Sequence, residues 1–253
     1  MENVREKILV MSGKGGVGKS TVAVNLAVWL SQQGKQVGLL DVDIHGPSVP
    51  KLLNLDKKAI KGGAVIEPVA YSDNLKVMSI GFLLPNENNA VIWRGPMKHN
   101  LIKQFLTEVY WGPLDYLVID CPPGTGDELL SVVQLMENPD GAVIVTTPQQ
   151  IAVLDVKKCI TFCKQLNLPV LGVIENMSGL VCPHCQNRID VFKSGGGEQM
   201  AKEFDIPFLG SIPIDAAVVS SCDSGNPFLN SDNNNPTAQA LESAFKPLLM
   251  NEE

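Results

Sequence analysis

The feature that most constrains the fold is a glycine-rich segment near the N-terminus. Residues 13–20 read Gly-Lys-Gly-Gly-Val-Gly-Lys-Ser and match the pattern G-x-x-x-x-G-K-[ST] in full. The apolar run from Ile8 to Met11 precedes this segment, and a helical stretch from Ser20 to Gln33 follows it. Glycines let backbone N–H groups turn inward around phosphate oxygens, and the helix adds its positive dipole end. The segment is therefore predicted to be a phosphate-binding loop between a strand and a helix.

Two side chains of this loop have expected roles. Lys19 is expected to reach the β- and γ-phosphates of a nucleoside triphosphate, and the Ser20 hydroxyl is expected to bind Mg²⁺. The candidate nucleotide-binding residues of the segment are Gly13, Lys14, Gly15, Gly16, Val17, Gly18, Lys19, Ser20 and Thr21.

Short apolar runs recur along the chain with helical stretches between them. They are Ile8 to Met11, Val37 to Leu40, Leu75 to Ile80, Tyr116 to Ile119, Ala142 to Val145, Val170 to Ile174 and Phe208 to Ile212. Most are apolar throughout, as strands are when helices cover both faces of a parallel sheet. The pattern predicts an α/β fold with a mostly parallel central sheet and helices on both faces. Residues 1–253 are expected to form a single domain that ends in a helix from about Thr237 to Leu249.

Composition limits where the protein acts and what it binds. The 253 residues carry a net charge of −7, which argues against DNA as the main partner because phosphate contacts need clustered Lys and Arg. No apolar stretch reaches the ~18 residues of a membrane helix, and the charged N-terminus does not resemble a secretory signal. A cytoplasmic protein that binds neither nucleic acid nor membrane is expected.

Two further apolar strands end in carboxylates. The run Val37 to Leu40 is followed by Asp41 and Asp43, which are two residues apart and so share one strand face. The run Tyr116 to Ile119 is followed by Asp120. Ligands bind at the carboxyl edge of such sheets, so these acids are expected near the phosphate loop, with Asp120 holding Mg²⁺. The alternative for each acid is a helix N-cap.

The chain has six cysteines, and Cys182 and Cys185 form a C-x-x-C pair. Such a pair suits a redox dithiol, half of a zinc site or half of an iron–sulfur site. A zinc or 4Fe–4S site usually needs four ligands, and two chains related by a two-fold axis would supply them. The remaining cysteines, which are expected mainly to pack in the interior or to play accessory roles, are Cys121, Cys159, Cys163 and Cys222.

Lys14 adds a second lysine to the loop, which then resembles the deviant Walker A class of MinD, ParA and the nitrogenase iron protein. Further motifs are similar to those of the Mrp/ApbC family of iron–sulfur carrier ATPases, from about residue 5 to 250. These motifs are residues 13–20, Asp41 to Ser48, Trp93 to Met97, Asp120 to Asp127, Glu175 to Ser178, Cys182 to Cys185 and Gly195 to Glu198.

The resemblance implies roles for individual residues. Lys14 would reach a partner's nucleotide across a dimer interface, and Asp43 would orient the attacking water, so Lys14, Lys19 and Asp43 are the candidate catalytic residues. Ser20, Asp41 and Asp120 would lie at Mg²⁺. The base of ATP would be contacted by Asn176, Pro213 and Asp215.

The resemblance also implies a homodimer that holds a bridging 4Fe–4S cluster at Cys182 and Cys185 of each chain. ATP hydrolysis would be slow and coupled to transfer of the cluster between donors and apo iron–sulfur proteins. Some relatives carry an extra N-terminal domain or a four-cysteine cluster, and this sequence shows neither, so no second cluster is expected. The alternatives are a MinD- or ParA-like positioning ATPase, which does not explain the C-x-x-C pair, and a zinc-bridged nucleotide-binding dimer.

Overall fold

The computed structural model describes residues 3–55, 66–83, 95–136, 138–182, 184–185, 187–230 and 235–249. Trp93 and Arg94, which open one of the family motifs, lie outside the described residues, as does Pro183 between the two cysteines.

The described residues contain ten strands. They are β1 (Val4–Met11), β2 (Val37–Asp41), β3 (Val69–Ser72), β4 (Leu75–Ser79), β5 (Leu114–Asp120), β6 (Gly141–Thr146), β7 (Val170–Glu175), β8 (Leu180–Val181), β9 (Arg188–Ile189) and β10 (Phe208–Ser211). Eight of them form one sheet in the order β10-β7-β6-β1-β5-β2-β4-β3. The other two, β8 and β9, pair antiparallel in a separate hairpin.

Every strand pair of the main sheet is parallel except β3 with β4. All five residues of β2 and all six of β6 are buried. Successive side chains of a strand point to opposite faces, so both faces of the sheet are covered. This confirms the predicted α/β class with a mostly parallel sheet and helices on both faces. The antiparallel edge strand β3 and the hairpin β8–β9 had no counterpart among the predicted strands.

The described residues contain eight α-helices. They are α1 (Lys19–Gln32), α2 (Val49–Leu52), α3 (Gly95–Glu108), α4 (Asp127–Leu135), α5 (Gln150–Gln165), α6 (Gly196–Phe204), α7 (Ala216–Ser224) and α8 (Pro236–Phe245). Helix α1 is buried along most of its length, as its apolar first turns predict. None of the helices in the described ranges is long and apolar enough to cross a membrane.

The predicted C-terminal helix, from Thr237 to Leu249, is wrong at its end. Helix α8 stops at Phe245, and Lys246–Leu248 form a 3₁₀ turn. Pro247 explains the change, because proline has no N–H group for the next helical hydrogen bond and its ring crowds the preceding turn. The ring of Phe245 lies 6.0 Å from that of Trp29 and packs α8 against α1.

Candidate functional site

Three neighbouring strands bring the phosphate loop and the acids to one edge of the sheet. The loop follows β1, and β1 pairs with β5 so that Val10 lies opposite Asp120. On the other side of β5, Asp41 of β2 lies directly opposite Asp120. The parallel register therefore places the ends of all three strands side by side, as the sequence predicts.

Lys19 links the loop to these acids. Its Nζ lies 2.5 Å from Asp120 Oδ1 and 4.0 Å from Asp43 Oδ2, and its side chain is only 6% exposed. Burial alone would lower the pKa of Lys19, but the carboxylates of Asp120, Asp43 and Asp41, with Asp120 contributing most, together outweigh burial and raise that pKa. Lys19 is therefore held as a buried cation beside the place where phosphates are expected. Lys14 lies partly exposed in the same loop.

Asp41 is fully buried and hydrogen-bonded. Its carboxylate accepts from Ser79 Oγ at 2.8 Å, from the Asp43 N–H at 3.1 Å and from the Val49 N–H at 3.4 Å. Burial and the neighbouring Asp120 raise the pKa of Asp41 to about 8. The sequence analysis missed Ser79, although its signal was present, because Ser79 ends an apolar strand just as Asp41 does.

The Asp120 carboxyl has one oxygen that fits a metal ion. Asp120 is fully buried, and its Oδ2 atom has no hydrogen-bond partner among the described residues. Burial raises the pKa of Asp120, and the Lys19 ammonium acts against this shift. No three His, Cys, Asp or Glu side chains in the described ranges are grouped to hold a metal by themselves. A single free carboxylate oxygen suits Mg²⁺, which takes few carboxylates and completes its octahedron with water and phosphate oxygens.

A cavity of about 300 Å³ opens in front of the loop. Helix α1 begins beneath it with no side-chain cap, so its first N–H groups remain available to an anion. The cavity is lined by Ser12, Lys14, Gly15, Gly16, Gly18, Lys19, Ser20, Thr21, Asp43, Gly46, Ser48, Leu52 and Pro123. Seven of the nine predicted loop residues, all but Gly13 and Val17, thus line one cavity with Asp43.

Gly18 shows why this position of the loop is a glycine. Its φ of +85° is unfavourable for other residues, and a Cβ atom here would overlap the Asn176 side-chain amide. Asn176 Nδ2 donates to the Val17 carbonyl at 2.9 Å. Asn176 therefore lies against the phosphate loop, and its predicted contact with the base of ATP stays a prediction.

Asp215 has a structural role at the start of α7. Its carboxylate caps α7 by accepting from the Ala217 N–H at 2.8 Å. It also accepts from Thr237 Oγ1 at 2.8 Å and from Asn235 Nδ2 at 3.1 Å. Burial acts to raise the pKa of Asp215, but these hydrogen bonds hold it below its ordinary value. Pro213 lies two residues earlier, and base contacts by both residues stay predictions.

The cysteine pair lies apart from the main sheet. The turn between β8 and β9 carries Cys182, which is partly exposed, and Cys185, which is exposed. The hairpin is closed by the Cys182 N–H, which donates to the Asn187 carbonyl at 3.0 Å. The backbone N–H groups of Cys185 and His184 hydrogen-bond to the Cys182 sulfur and lower its pKa. Such bonds stabilise the thiolate, which is the form that binds a metal.

The other four cysteines are differently placed. Burial raises the pKa of Cys159 to about 12 and that of Cys163 to about 11. Cys121 is also fully buried. Cys222 is partly exposed, and its sulfur lies 3.6 Å from Thr21 Oγ1. Among the described residues, only the hairpin presents two cysteines together at the surface.

The sheet topology, the loop and the acids together define a P-loop nucleotide-binding protein. The family described as ParA, NUBPL iron-transfer P-loop NTPase, matches residues 3–249. The chain belongs to this family, which confirms the resemblance to iron–sulfur carrier ATPases.

Two similar proteins carry names that refer to iron–sulfur clusters. The iron-sulfur cluster carrier protein of Methanocaldococcus jannaschii is 53% identical over 230 residues, which are 90% of this chain and 79% of that protein. The cytosolic Fe-S cluster assembly factor NUBP2 homolog of Nematostella vectensis is 49% identical over 248 residues, which are 96% of this chain and 92% of that protein.

Solved structures share the fold. A nucleotide-binding protein from Archaeoglobus fulgidus, in complex with ADP and with Co found by PIXE, has a TM-score of 0.80 and 43% identity, and the match covers 91% of this chain and 90% of that one. The septum site-determining protein MinD of Pyrococcus horikoshii, complexed with Mg-ADP, has a TM-score of 0.74 over 97% and 96% of the two chains. Its identity of 23% shows a shared fold and no more.

Proposed function

We propose that this chain carries a 4Fe–4S cluster, held by Cys182 and Cys185 of two copies, and delivers it to apo iron–sulfur proteins in the cytoplasm. Residues 1–253 act as one ATPase domain that binds ATP with Mg²⁺ and hydrolyses it slowly. The names of both relatives support an iron–sulfur cargo, and the name of the Nematostella vectensis protein supports the compartment. Cluster donors and a second copy of the chain are the other partners, and neither nucleic acid nor a membrane is needed.

The single observation that carries this proposal is the exposed pair of thiols at the hairpin turn. One chain presents two cysteines there, while a cuboidal cluster usually takes four thiolates. Two copies related by a two-fold axis complete the set without any other side chain. The N–H groups directed at Cys182 suit a bound thiolate in either a cluster or a zinc site, so the metal itself must be measured.

The nucleotide site assigns a task to each side chain. Lys19 neutralises the β- and γ-phosphates, and Lys14 extends to the nucleotide of the partner copy. Asp43, whose Oδ2 is 4.0 Å from Lys19 Nζ, orients the attacking water. Ser20 and Asp120, with Asp41 beside them, would hold Mg²⁺, which supplies charge neutralisation at the phosphate oxygens.

Anaerobic reconstitution tests this function. The parent protein should bind about four iron and four sulfide per dimer and elute as a dimer in size-exclusion chromatography. Protein purified without oxygen should contain iron rather than zinc. A full cluster on a strict monomer, or stoichiometric zinc that iron does not replace, would contradict the proposal; the second result favours the zinc-bridged dimer.

A further inference from the structure

One short segment contacts both the phosphate loop and the cysteine hairpin. Strand β7 ends at Glu175, and the next residue, Asn176, donates from its side chain to the Val17 carbonyl of the phosphate loop. Three residues later, Gly179 leads directly into β8 of the cysteine hairpin, and its carbonyl accepts from the N–H of Ile214, which follows β10, at 2.7 Å. Residues 175–179 are therefore the common base of both sites.

The Glu175 carboxylate fixes this segment from inside the protein. Glu175 is fully buried, and its Oε1 accepts from Ser178 Oγ at 2.6 Å and from the Gly195 N–H at 3.0 Å. Its Oε2 accepts from the Gly197 N–H at 2.6 Å, in the first turn of α6. An added Cβ on Gly197 would lie 3.1 Å from Glu175 Cβ, so the close approach favours glycine. The negative charge at the start of α6 is also favoured by the helix dipole.

Arg188 extends these contacts into the hairpin. Its Nη2 donates to Ser178 Oγ at 3.3 Å, and its Nε donates to Asp190 Oδ1 at 3.0 Å. Arg188 lies in β9 directly opposite Val181, which immediately precedes the first cysteine. The guanidinium also covers Gly179, where an added Cβ would lie 2.8 Å from Nε. Hydrogen bonds thus run continuously from the buried Glu175 to the strand beside the cysteines.

We propose that Glu175, Ser178 and Arg188 are positioning residues that make the reactivity of Cys182 and Cys185 depend on bound nucleotide. A bound nucleotide can change the conformation of the hairpin only if the nucleotide makes different contacts in the two conformations of the protein. The Asn176 amide provides such a contact, because a base that binds this amide competes with the Val17 carbonyl for it. The inference rests on the proposed function, to which it adds a route of regulation.

Alkylation of the apo protein tests the proposal without any cluster. The rate at which iodoacetamide modifies Cys182 and Cys185 is measured at fixed pH by peptide mass spectrometry, with and without Mg-ATP. In the parent, Mg-ATP should change this rate about fivefold or more, the lower end of usual coupling between sites. In Arg188→Gln the change should fall to about twofold or less, while ATP affinity stays at the parental value. Arg188→Lys should lie between them, because a lysine keeps the charge but not the fork of donors.

The chain offers a matched control and a second variant. Arg5→Gln makes the same chemical change at an exposed arginine that pairs with Asp115 and lies at the opposite end of β1 from the phosphate loop. It should retain the full nucleotide effect. Ser178→Ala removes the hydroxyl between Glu175 and Arg188 and should reproduce Arg188→Gln.

Three outcomes would overturn the inference. In the first, Mg-ATP still changes the alkylation rate at least fivefold in both Arg188→Gln and Ser178→Ala. In the second, Arg5→Gln loses the effect of Mg-ATP on this rate as fully as Arg188→Gln does. In the third, the parent binds ATP but its alkylation rate does not change. Failure of the proposed function gives a different result, because cluster reconstitution is scored on separate samples. A parent that does not bind ATP would overturn both.

Discussion

The nucleotide site lies at the ends of three buried strands, whereas the cysteine pair lies on a hairpin outside the main sheet. In the first, Lys19 and Asp120 are almost completely buried and in contact. In the second, each strand has only two residues, and Cys185 is exposed. Buried charges are stable only when partners surround them, so one chain must build the first site itself. The two hairpin thiols are uncharged or solvent-accessible and have no such requirement, so in the proposed function a second copy can supply the remaining ligands.

A two-stranded hairpin this short is marginal by itself in water. Here it depends on its base, where Arg188 contacts Ser178 and Gly179 contacts Ile214. A site that is loosely built and joined to a rigid one is suited to respond to it. The comparison therefore predicts that substitutions in the hairpin abolish cluster binding and leave ATP binding unchanged. Substitutions in the phosphate loop should weaken ATP binding and leave cluster binding unchanged.

The largest effect is expected at the hairpin. Cys182→Ala and Cys185→Ala should each abolish cluster binding, because one substitution removes two of the four ligands from a symmetric site. ATP affinity should stay within about twofold of the parent, since the substituted side chains lie outside the nucleotide cavity. Iron and sulfide analysis after anaerobic reconstitution, together with ATP titration, measures both.

Cys159→Ala is the matched control for these two variants. It removes a buried thiol of α5, so it should lower stability by about 1–2 kcal/mol yet leave the cluster in place. Retention of a full cluster by the Cys182→Ala/Cys185→Ala double variant would contradict the assignment. Attention would then move to the remaining cysteines.

Most of the main sheet could be predicted from sequence because most of its strands contain a short apolar run. All seven predicted strands were found, because short apolar runs that alternate with helical stretches are typical of strands in a parallel sheet covered by helices. Strand β3 alternates between partly buried and exposed residues at the sheet edge, and β8 and β9 have two residues each. Such short or edge segments carry too little apolar pattern to stand out in a sequence.

In the candidate sites, the sequence predicts where a residue lies in the sheet better than it predicts which side chains that residue contacts. Asp41 and Asp120 are adjacent as predicted, because parallel register follows from strand order. The partners of Asn176 and Asp215 could not be predicted, since Val17 and Thr237 are distant along the chain. The hydrogen bonds between Glu175 and Arg188 also depend on how the hairpin packs against β7.

A further prediction separates the two lysines of the loop by their effect on ATP affinity. Lys19→Ala should weaken ATP binding by about 30-fold or more, because the phosphates of ATP lose the buried cation proposed to neutralise them, and the loss of such a charged partner costs about 2–5 kcal/mol. Lys14→Ala should leave ATP affinity of a single chain nearly unchanged, since Lys14 is partly exposed and directed at a partner's nucleotide in the proposal. Its turnover and its ATP-dependent dimerisation should fall instead.

Isothermal titration with ATP and analytical ultracentrifugation distinguish the two lysines. Both variants should still bind a cluster after reconstitution, because the hairpin cysteines are intact. Equal loss of ATP affinity in the two variants would show that Lys14 acts within its own chain.

A change in turnover rather than in ATP affinity is expected when binding is separated from hydrolysis. Asp43→Asn keeps the side-chain oxygen that accepts from the His45 and Gly46 N–H groups, so the loop should keep its shape. It removes the carboxylate charge proposed to orient water, and turnover should fall by about 10²-fold. ATP affinity should change little. Phosphate release and ATP titration measure these quantities, and unchanged turnover would reduce Asp43 to a structural residue of the loop.

The smallest effect concerns Asp215, whose carboxylate joins α7 to α8. Asp215→Asn keeps an oxygen to cap α7 but loses the acceptor used by Thr237 and Asn235, at a cost of roughly 0.5–1.5 kcal/mol. Because its folded pKa is lowered, the carboxylate contributes stability above its unfolded pKa and loses it as pH falls through the folded one. The difference in unfolding free energy between parent and variant should therefore be largest near neutral pH and shrink below about pH 4.

Urea unfolding at neutral and acidic pH measures this difference, and ATP titration of the same samples tests the predicted base contact. If Asp215 also contacts the base, the variant loses affinity at a pH where its fold is intact. If the carboxylate only caps α7, affinity follows stability and ATP binding at neutral pH is unchanged. A pH-independent difference in stability would contradict the role of the carboxylate charge, because both hydrogen bonds to Oδ2 favour the ionised form.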